Sequence, residues 1–274
     1  MSKELGNQQP GAHDARPAVA VVTGGAVGIG RGIVECLLAA GQIIVSLDRD
    51  AAALEVAASE LGDRFIPCVG DISLWADHER AADVAEQHGV LNQWVNNAGI
   101  DWVGGAHEVD EAHIRQGLGV LLHGPMFGAA VAVRRMVRSG GGAIVNISSI
   151  QGIEAFPRYY VYDVAKAGIL MLTKSIAVDY AAHGIRCNVV LPGCIETPMT
   201  YTTLPADLSR EEGLRREGEL APMLRVGQPH EIGEAVAFLL SERASYVNGA
   251  ELVVDGGATA RCFPYPPFEI EGGS

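Results

Sequence analysis

The chain alternates short apolar runs with longer segments in which apolar residues recur at helical spacing. Most of the short runs are continuous, as is typical of strands buried on both faces of a parallel sheet. The predicted strands are AVAVVTGG, QIIVSLDR, FIPCVGDI, QWVNNAG, GAIVNISS, IRCNVVLPG and AELVVDGG. Predicted helices between them include GRGIVECLLAAG, SLWADHERAADVAEQHG, YVYDVAKAGILMLTKSIAVDYAAHG and PHEIGEAVAFLLSERA. This βα alternation predicts an α/β fold with a single doubly wound parallel sheet and helices on both faces.

Length and composition set the domain organisation. The 274 residues, 48% of them hydrophobic, suffice for a sizeable buried core. Neither an internal repeat nor a low-complexity linker divides the chain. We therefore predict a polar N-terminal tail at 1–16, a single domain at 17–260 and a C-terminal tail at 261–274.

The charge balance bears on partners and location. The chain has 20 Lys and Arg against 33 Asp and Glu, a formal net charge of −13 without a basic run. Neither nucleic acid nor an anionic membrane is therefore expected as a partner. The first residues lack the apolar core of a signal peptide, and no uninterrupted apolar segment approaches the roughly 20 residues of a membrane span, so a cytoplasmic protein is expected. The five cysteines lack paired metal-ligand spacing, which predicts reduced thiols and no metal site.

A glycine-rich motif, TGGAVGIG, follows the first predicted strand and precedes a helix. Gly24, Gly28 and Gly30 allow a tight turn, and the helix that follows offers unpaired N–H groups to a pyrophosphate. The next predicted strand ends in Asp48, whose carboxylate would accept hydrogen bonds from the adenosine ribose and repel a 2′-phosphate. These features favour NAD over NADP. Arg49 would blur that preference by reaching a phosphate, unless it is a solvated surface charge.

Three tyrosines and a lysine occur close together in PRYYVYDVAKAG. Tyr162 precedes Lys166 by four residues, so on a helix the phenol and the ammonium share one face. Tyr159 and Tyr160 have no such partner and are interpreted as half-buried packing residues. Tyr162 is therefore the tyrosine that we consider a candidate for a catalytic role.

Five motifs together identify a family. They are TGGAVGIG, NNAG at 96–99, ISS at 147–149, YDVAK at 162–166 and PGCIETPM at 192–199. In this order and approximate spacing they resemble the classical short-chain dehydrogenase/reductase family over residues 18–257. The resemblance implies a Rossmann-type fold and a nicotinamide-dependent oxidoreductase without a metal, which transfers a hydride between a secondary alcohol or ketone and nicotinamide.

The family's catalytic residues map onto Ser149, Tyr162 and Lys166. Ser148 is adjacent to Ser149 but should point to the other side of its strand. A free phenol titrates at about 10, and a neighbouring ammonium together with the positive nicotinamide would favour the phenolate. The resemblance implies that Tyr162 takes the alcohol proton, Ser149 holds the substrate oxygen and Lys166 also binds ribose. The alternative for Lys166 is an exposed helix charge.

The resemblance also assigns further cofactor contacts. Asp71 and Ile72 correspond to the pair that brackets adenine, and Ile195 and Thr197 to the groups that fix the carboxamide. Asp71 could instead cap the following helix, a role that Ser73 could equally fill. The predicted NAD-binding residues are Gly24, Val27, Gly28, Ile29, Gly30, Asp48, Arg49, Asp71, Ile72, Asn97, Ala98, Gly99, Tyr162, Lys166, Pro192, Gly193, Ile195 and Thr197.

One position departs from the family pattern. The family often has an asparagine in the central helix, where it holds a water for a proton relay to the lysine. In GVLLHGPMFG that position is Leu121, which cannot bind the water. Another group or bulk solvent would complete the relay, or the rate is reduced. His123 is a possible substitute, although an ordinary helix residue is the preferred interpretation.

The substrate is expected to be a sugar or polyol. Family substrate positions correspond here to Asp101, Trp102, Gln151 and Glu154, beside Ser149 and Tyr162, and to a substrate lid at about 195–225. Their carboxylates, amide and aromatic face suit a polyhydroxylated ligand. Asp101 and Glu154 could equally be solvated loop charges. A hydroxysteroid or a cyclic (dihydro)diol is the alternative substrate.

Two other functions are compatible with the sequence. A non-catalytic NAD-binding sensor is conceivable because Leu121 removes a relay element, and a sugar-nucleotide epimerase or dehydratase shares the Tyr–Lys pair.

A homodimer or homotetramer is expected, built through helices at 110–139 and 159–183. The tail at 261–274, with Phe263, Tyr265 and Phe268 among prolines, is expected to pack against a neighbouring subunit.

Overall fold

The computed structural model describes residues 16–205 and 207–261. The predictions for the N-terminal tail, apart from Arg16, and for the C-terminal tail beyond Arg261 lie outside the described residues.

Within residues 16–205 and 207–261, a single seven-stranded sheet forms the centre of the fold, and all neighbouring strands are parallel. Its strands are β1 (Ala18–Thr23), β2 (Ile43–Asp48), β3 (Phe65–Val69), β4 (Val90–Asn96), β5 (Gly142–Ile147), β6 (Ile185–Pro192) and β7 (Glu251–Val254). The order across the sheet is β3-β2-β1-β4-β5-β6-β7, so the winding direction reverses between β1 and β4. At such a reversal the carboxyl ends of the strands leave a crevice for a ligand. The predicted Rossmann-type, doubly wound α/β fold is confirmed.

Helices cover both faces of this sheet. They are α1 (Gly28–Ala39), α2 (Ala51–Leu61), α3 (Trp75–His88), α4 (Glu111–Leu118), α5 (Gly124–Ser139), α6 (Tyr160–Tyr180), α7 (Pro198–Thr203), α8 (Arg210–Gly218) and α9 (Pro229–Leu240). One apolar cluster contains residues of α1, α2 and α9, and another contains residues of α3, α5 and α6. Consecutive strand residues enter opposite clusters, as Val21 and Val22 of β1 do, which explains why the strand sequences are continuously apolar.

Some element boundaries differ from the predicted ones. The helix predicted to run to Gly184 ends at Tyr180, and a 3₁₀ turn follows at Ala181–His183. Gly184 then takes a φ of 73°, a left-handed conformation that stops the helix. Strand β4 starts at Val90, earlier than the predicted QWVNNAG. Within the segment predicted as a substrate lid, the chain forms the short helices α7 and α8.

A π-helical turn at Gly119–His123 joins α4 to α5, giving one continuous helical segment over Glu111–Ser139. By length and composition alone this segment could cross a membrane, but 50% of its most apolar stretch is buried inside the fold. The core helix of a soluble protein has the same properties, so the segment is weak evidence for a membrane.

Candidate active site

The glycine-rich loop lies at the carboxyl end of β1, where the sheet order reverses. Gly24 and Gly28 take positive φ angles of 67° and 57°, which glycine adopts without strain. A Cβ on Gly30 would lie 1.9 Å from the Gly24 carbonyl oxygen, so this loop conformation is possible only with glycine at position 30. Helix α1 begins after Val27, which provides no side-chain cap. The first N–H groups of α1 are therefore available to a phosphate.

Thr23 and Asn97 hold this loop against the end of β4. The Thr23 hydroxyl accepts hydrogen bonds from the backbone N–H groups of Asn97 and Ala98, both at 3.0 Å. The Asn97 side-chain amide donates to the carbonyls of Thr23 and Gly24, at 3.0 and 3.1 Å. These hydrogen bonds join the glycine-rich loop to the segment after β4, so Asn97 shapes the cleft by fixing the two segments relative to each other.

A cleft of about 350 Å³ extends from this loop to the start of α6. The predicted NAD-binding residues that line it are Gly24, Val27, Gly28, Ile29, Gly30, Asp48, Arg49, Asp71, Ile72, Asn97, Ala98, Gly99, Tyr162, Lys166 and Thr197. Pro192 and Gly193 are not among the lining residues, and Ile195 lines a second cavity instead. Lining residues that the motifs did not predict are Leu47, Asp50, Gly70, Ile100, Val120, Ile147, Ser148, Pro198 and Met199. All but Val120, Ile147 and Met199 directly adjoin a predicted residue, and that proximity could have identified them.

Asp48 lies at the end of β2, on the rim of the cleft. Its two carboxylate oxygens accept hydrogen bonds from the N–H groups of Asp50 at 3.1 Å and Ala26 at 3.4 Å. Arg49 also lines the cleft and makes no hydrogen bond or ion pair within the described part of the chain. The carboxylate is thus held in place by the backbone, whereas the guanidinium is not held by a partner.

The predicted adenine pair is positioned by a residue that the sequence reasoning missed. Asp71 accepts a hydrogen bond from the Ser73 N–H at 2.8 Å, and α3 begins after Leu74 without a side-chain cap, so neither capping role considered for Asp71 and Ser73 occurs. The carbonyl of Ile72 accepts a hydrogen bond of 2.7 Å from Nε2 of the buried His78. Burial lowers the pKa of His78, which favours the neutral ring. No motif in the sequence indicates this role for His78.

Ser149, Tyr162 and Lys166 converge at the far end of the cleft. Ser149 follows β5, accepts a hydrogen bond from the Gln151 N–H at 3.1 Å and is hydrogen-bonded to the Tyr162 phenol. The Lys166 Nζ lies 5.4 Å from the centroid of the Tyr162 ring and donates to the Ile147 carbonyl at 3.1 Å. The phenol and the ammonium therefore share one face of α6, and Lys166 is 5% exposed, which excludes the alternative of an exposed helix charge.

Ser148 has a different role from its neighbour. Its hydroxyl donates a hydrogen bond of 2.8 Å to the backbone carbonyl of Lys166. This contact fastens α6 to the end of β5 and leaves Ser149 as the serine that bonds to Tyr162.

Burial within the protein shifts the pKa values of both Tyr162 and Lys166 toward their neutral forms. Burial raises the pKa of Tyr162, the hydrogen bond from Ser149 opposes this rise, and the carboxylates of Asp101 and Asp163 reinforce it. Burial also lowers the pKa of Lys166 to about 8. Burial of both groups therefore opposes formation of the phenolate, and its stabilisation by the ammonium together with the positive nicotinamide stays a prediction.

Leu121 is 1% exposed and lies in the π-helical turn. A Cβ on Gly99 would lie 3.6 Å from Leu121 Cδ2 and 4.0 Å from Lys166 Nζ, which places the leucine near the ammonium. An apolar side chain there cannot hold a water by a hydrogen bond. His123 is exposed and its ring lies 6.2 Å from that of Phe127, so no contact directs it to the lysine.

A second cavity, of about 440 Å³, lies next to the segment that follows Ser149. Its lining residues are Ile150, Glu154, Phe156, Pro157, Cys194, Ile195, Glu217, Leu220, Ala221, Met223, Arg225, Gly227, Glu231, Val254, Asp255, Gly256, Ala258 and Thr259. The walls are mostly apolar, and several residues come from the predicted lid. We refer to this space as the lid cavity.

The predicted substrate residues are only partly brought together. Glu154 lines the lid cavity, whereas Gln151 and Trp102 do not. The Gln151 Oε1 is buried and has no hydrogen-bond partner within the described residues. Trp102 packs instead against α4, where its ring lies 6.3 Å from that of His113 and its indole nitrogen would lie 3.1 Å from a Cβ on Gly117.

Comparison with known proteins identifies the family. Residues 24–259 match the family model described as Enoyl-(Acyl carrier protein) reductase, within the short-chain dehydrogenase/reductase family. The chain is a short-chain dehydrogenase/reductase. This dehydrogenase is 38% identical over 250 residues to 2-(R)-hydroxypropyl-CoM dehydrogenase of Xanthobacter autotrophicus, covering 88% of this chain and 98% of the relative.

Two further similarities support the enzymatic class. Cis-4-hydroxycyclohexanecarboxylate dehydrogenase of Sinomonas cyclohexanicum is 40% identical over 252 residues, which cover 88% of this chain and 96% of the relative. The ligand-free aldohexose dehydrogenase of Thermoplasma acidophilum superimposes with a TM-score of 0.83 at 32% identity, covering 94% of this chain and 100% of that one. The protein is therefore an oxidoreductase of the short-chain alcohol dehydrogenase type.

The cleft fits the nicotinamide cofactor that such enzymes use. The uncapped start of α1 and the cradle that a Cβ on Gly30 would fill suit a pyrophosphate. Asp48 lies where a ribose would be bound, and Tyr162 and Lys166 line the opposite end. The lining residues therefore fit the pyrophosphate and the adenosine ribose of a dinucleotide, with Tyr162 and Lys166 at the other end of the cleft.

Proposed function

We propose that this enzyme is an NAD-dependent dehydrogenase of secondary alcohols, with Ser149, Tyr162 and Lys166 as its catalytic residues. The observation that carries the proposal is the hydrogen bond between Ser149 and Tyr162 beside the buried ammonium of Lys166, at the end of a dinucleotide-shaped cleft. A purified sample incubated with NAD and a panel of alcohols, followed by nicotinamide absorbance, tests it.

The three side chains have distinct tasks in the proposed mechanism. A nicotinamide cofactor held in the cleft would supply the donor or acceptor of the hydride at the reacting carbon. Ser149 hydrogen-bonds the substrate oxygen and holds it beside Tyr162, whose phenol oxygen takes the alcohol proton during oxidation and returns it during reduction. The ammonium of Lys166 stabilises negative charge on that phenol oxygen and binds ribose hydroxyls. Because the protein's own groups raise the pKa of Tyr162, the positive nicotinamide would supply the remaining stabilisation of the phenolate.

We propose NAD rather than NADP as the cofactor. Support comes from the Asp48 carboxylate, which the backbone holds at the rim of the cleft where it would repel a 2′-phosphate. Arg49, without a partner in the described residues, is the group that would favour NADP.

Asp48→Asn is expected to narrow the preference for NAD by about tenfold, because the amide keeps an acceptor for the ribose but removes the repelling charge. The dissociation constants of NAD and NADP, measured by calorimetry, provide the readout. Asp63→Asn, an exposed acid outside the cleft, is the matched control. A wild-type protein that already prefers NADP would show that attraction of the 2′-phosphate to Arg49 outweighs its repulsion by Asp48.

The proposed substrate remains a sugar or polyol, and a specific observation favours a second candidate. The lid cavity has mostly apolar walls, which suit the ring of a cyclic diol better than an open polyol chain. A panel of sugars, polyols, hydroxysteroids and cyclic diols separates these candidates. Binding of NAD without turnover of any alcohol would favour the sensor, and consumption of a sugar nucleotide without net change in nicotinamide would favour an epimerase.

We also propose a homo-oligomer, built through the long helices. Exposed apolar side chains on α5 and α6 support it: Met126, Val137, Val164, Met171 and Val178, the last of them 79% exposed. Removal of residues 261–274 is expected to lower the oligomeric mass, or to change the substrate KM more than the affinity for NAD. Light scattering and steady-state kinetics check this, and a truncated chain with unchanged mass and kinetics would contradict a role for the tail.

A further inference from the structure

Tyr159, interpreted from the sequence as a packing residue, lies beside the proposed catalytic base. Its ring centroid is 5.8 Å from that of Tyr162, in an edge-on arrangement at 70°. The side chain is half-buried at the start of α6. A second aromatic ring with a hydroxyl therefore stands next to the point where the alcohol is expected to react.

A strained turn holds Tyr159 in this position. The preceding residue, Arg158, has a φ of 68°, which is rare for a residue with a side chain. The Gly104 N–H donates to the Arg158 carbonyl at 2.6 Å, the Tyr160 N–H donates to the Gly104 carbonyl at 3.3 Å, and Arg158 pairs with Glu108 at 3.0 Å. Strain of this kind persists where surrounding contacts enforce it, and it clusters at functional sites.

Acidic groups from several elements act electrostatically on the hydroxyl of Tyr159. Burial is the main cause of its raised pKa, followed by the carboxylates of Asp101 and Glu217, with smaller contributions from Asp163 and Cys194. Asp101 follows β4 and Glu217 lies on α8, so the two carboxylates come from distant parts of the chain. The phenol consequently stays neutral and able to donate or accept a hydrogen bond.

Tyr159 also connects the catalytic residues to the lid cavity. Both Cys194 and Glu217 line that cavity, and the Glu217 carboxylate accepts a hydrogen bond from the Cys194 thiol. Phe156, whose carbonyl accepts a hydrogen bond from the Tyr159 N–H at 3.4 Å, also lines the cavity, so Tyr159 lies next to both Tyr162 and a residue of the cavity wall. A substrate whose carbinol meets Tyr162 and whose body enters the cavity would therefore lie close to Tyr159.

The charges of the lid cavity are unbalanced toward the acidic side. Arg225, the only cation among its described lining residues, is bound by both carboxylate oxygens of Glu231 at 2.7 and 2.8 Å. Asp255 accepts hydrogen bonds from the Gly257 N–H and from Thr259. The Glu217 carboxylate accepts a hydrogen bond only from the weak thiol donor of Cys194 among the described residues, so most of its acceptor sites are available to a ligand.

We propose that Tyr159 and Glu217 form a second recognition point for the substrate, which binds a hydroxyl group on the body of an uncharged alcohol and excludes anionic alcohols. This inference rests on the proposed alcohol dehydrogenase function. A hydroxyl can donate to the Glu217 carboxylate and accept from the Tyr159 phenol, whereas a substrate carboxylate meets a like charge in partly apolar surroundings. Tyr159 and Glu217 are thus specificity-determining residues distinct from the three catalytic ones.

The test uses three cyclic alcohols that differ in one group: trans-1,2-cyclohexanediol, cyclohexanol and cis-4-hydroxycyclohexanecarboxylate. Both kcat/KM with NAD and calorimetric binding to the NAD-loaded protein are measured. The wild type is expected to prefer the diol to the hydroxycarboxylate by about tenfold or more, the size of one charge-assisted contact. Glu217→Gln should reduce that preference about tenfold. Tyr159→Phe should make the kcat/KM of the diol nearly equal to that of cyclohexanol, mainly through changes in KM and Kd.

Matched controls are Glu211→Gln, an exposed acid on the same helix, and Tyr160→Phe, the exposed neighbour of Tyr159. Equal use of diol and hydroxycarboxylate by the wild type, or unchanged ratios in both test variants, would overturn the inference. Selective binding without turnover would remove the dehydrogenase proposal and retain the recognition point. Absence of binding for all three alcohols would overturn the recognition point as well.

Discussion

Tyr162→Phe is expected to reduce turnover by roughly 10²–10⁴-fold, the usual contribution of a positioned general acid or base. The variant removes only the hydroxyl that bonds to Ser149 and leaves the ring in place on α6. The affinity for NAD should therefore stay nearly unchanged. Nicotinamide absorbance gives kcat, and calorimetry gives the dissociation constant of NAD.

The control for this variant is Tyr160→Phe, because Tyr160 is 48% exposed on the same helix and has no contact with the catalytic residues among its hydrogen bonds. It should retain most of the wild-type turnover. Near-normal turnover in Tyr162→Phe would show that another group accepts the proton, and the assignment of all three catalytic residues would need revision.

Gly30→Ala is expected to abolish NAD binding. The new Cβ would lie 1.9 Å from the Gly24 carbonyl oxygen and 2.6 Å from the Asn97 side-chain nitrogen, so the loop that cradles the pyrophosphate would have to move. Backbone atoms cannot yield as the end of a flexible side chain can, and the same displacement breaks the bonds of Asn97 to the loop. Calorimetry with NAD measures the loss.

Gly119→Ala provides the matched control, since Gly119 has helical dihedral angles and nothing within 4 Å of its Cβ position. Circular dichroism and the melting temperature of both variants separate a local effect from global unfolding. Unaltered NAD affinity in a folded Gly30→Ala variant would contradict the proposed position of the pyrophosphate.

Local chemistry explains why much of the cleft could be predicted. Gly24, Gly28 and Gly30 occupy positions where backbone angles or close contacts demand glycine, so the motif itself reports the turn. The pairing of Tyr162 with Lys166 follows from helical geometry alone. Asp48 marks the end of a strand whose parallel neighbours bring their carboxyl ends to the same edge.

Contacts between distant segments explain what could not be predicted. The role of Tyr159 depends on Asp101, Glu217 and Cys194, which are far from it along the chain. His78 supports Ile72 through a single buried hydrogen bond that no spacing rule identifies. Trp102, which follows the NNAG motif and was expected at the substrate only from the family resemblance, packs against α4 instead of lining the lid cavity.

Apolar periodicity and short motifs depend on neighbours a few positions away, so they were sufficient to predict the sheet, the family and the candidate catalytic residues. The electrostatics and the shape of the substrate space depend instead on how distant segments pack together. Burial raises the pKa of Tyr162 and lowers that of Lys166 to about 8, and it depends on every element packed around them. The lid cavity likewise forms only where α8, β7 and the turn after β5 meet, so its apolar walls and its acidic side follow from packing between distant segments.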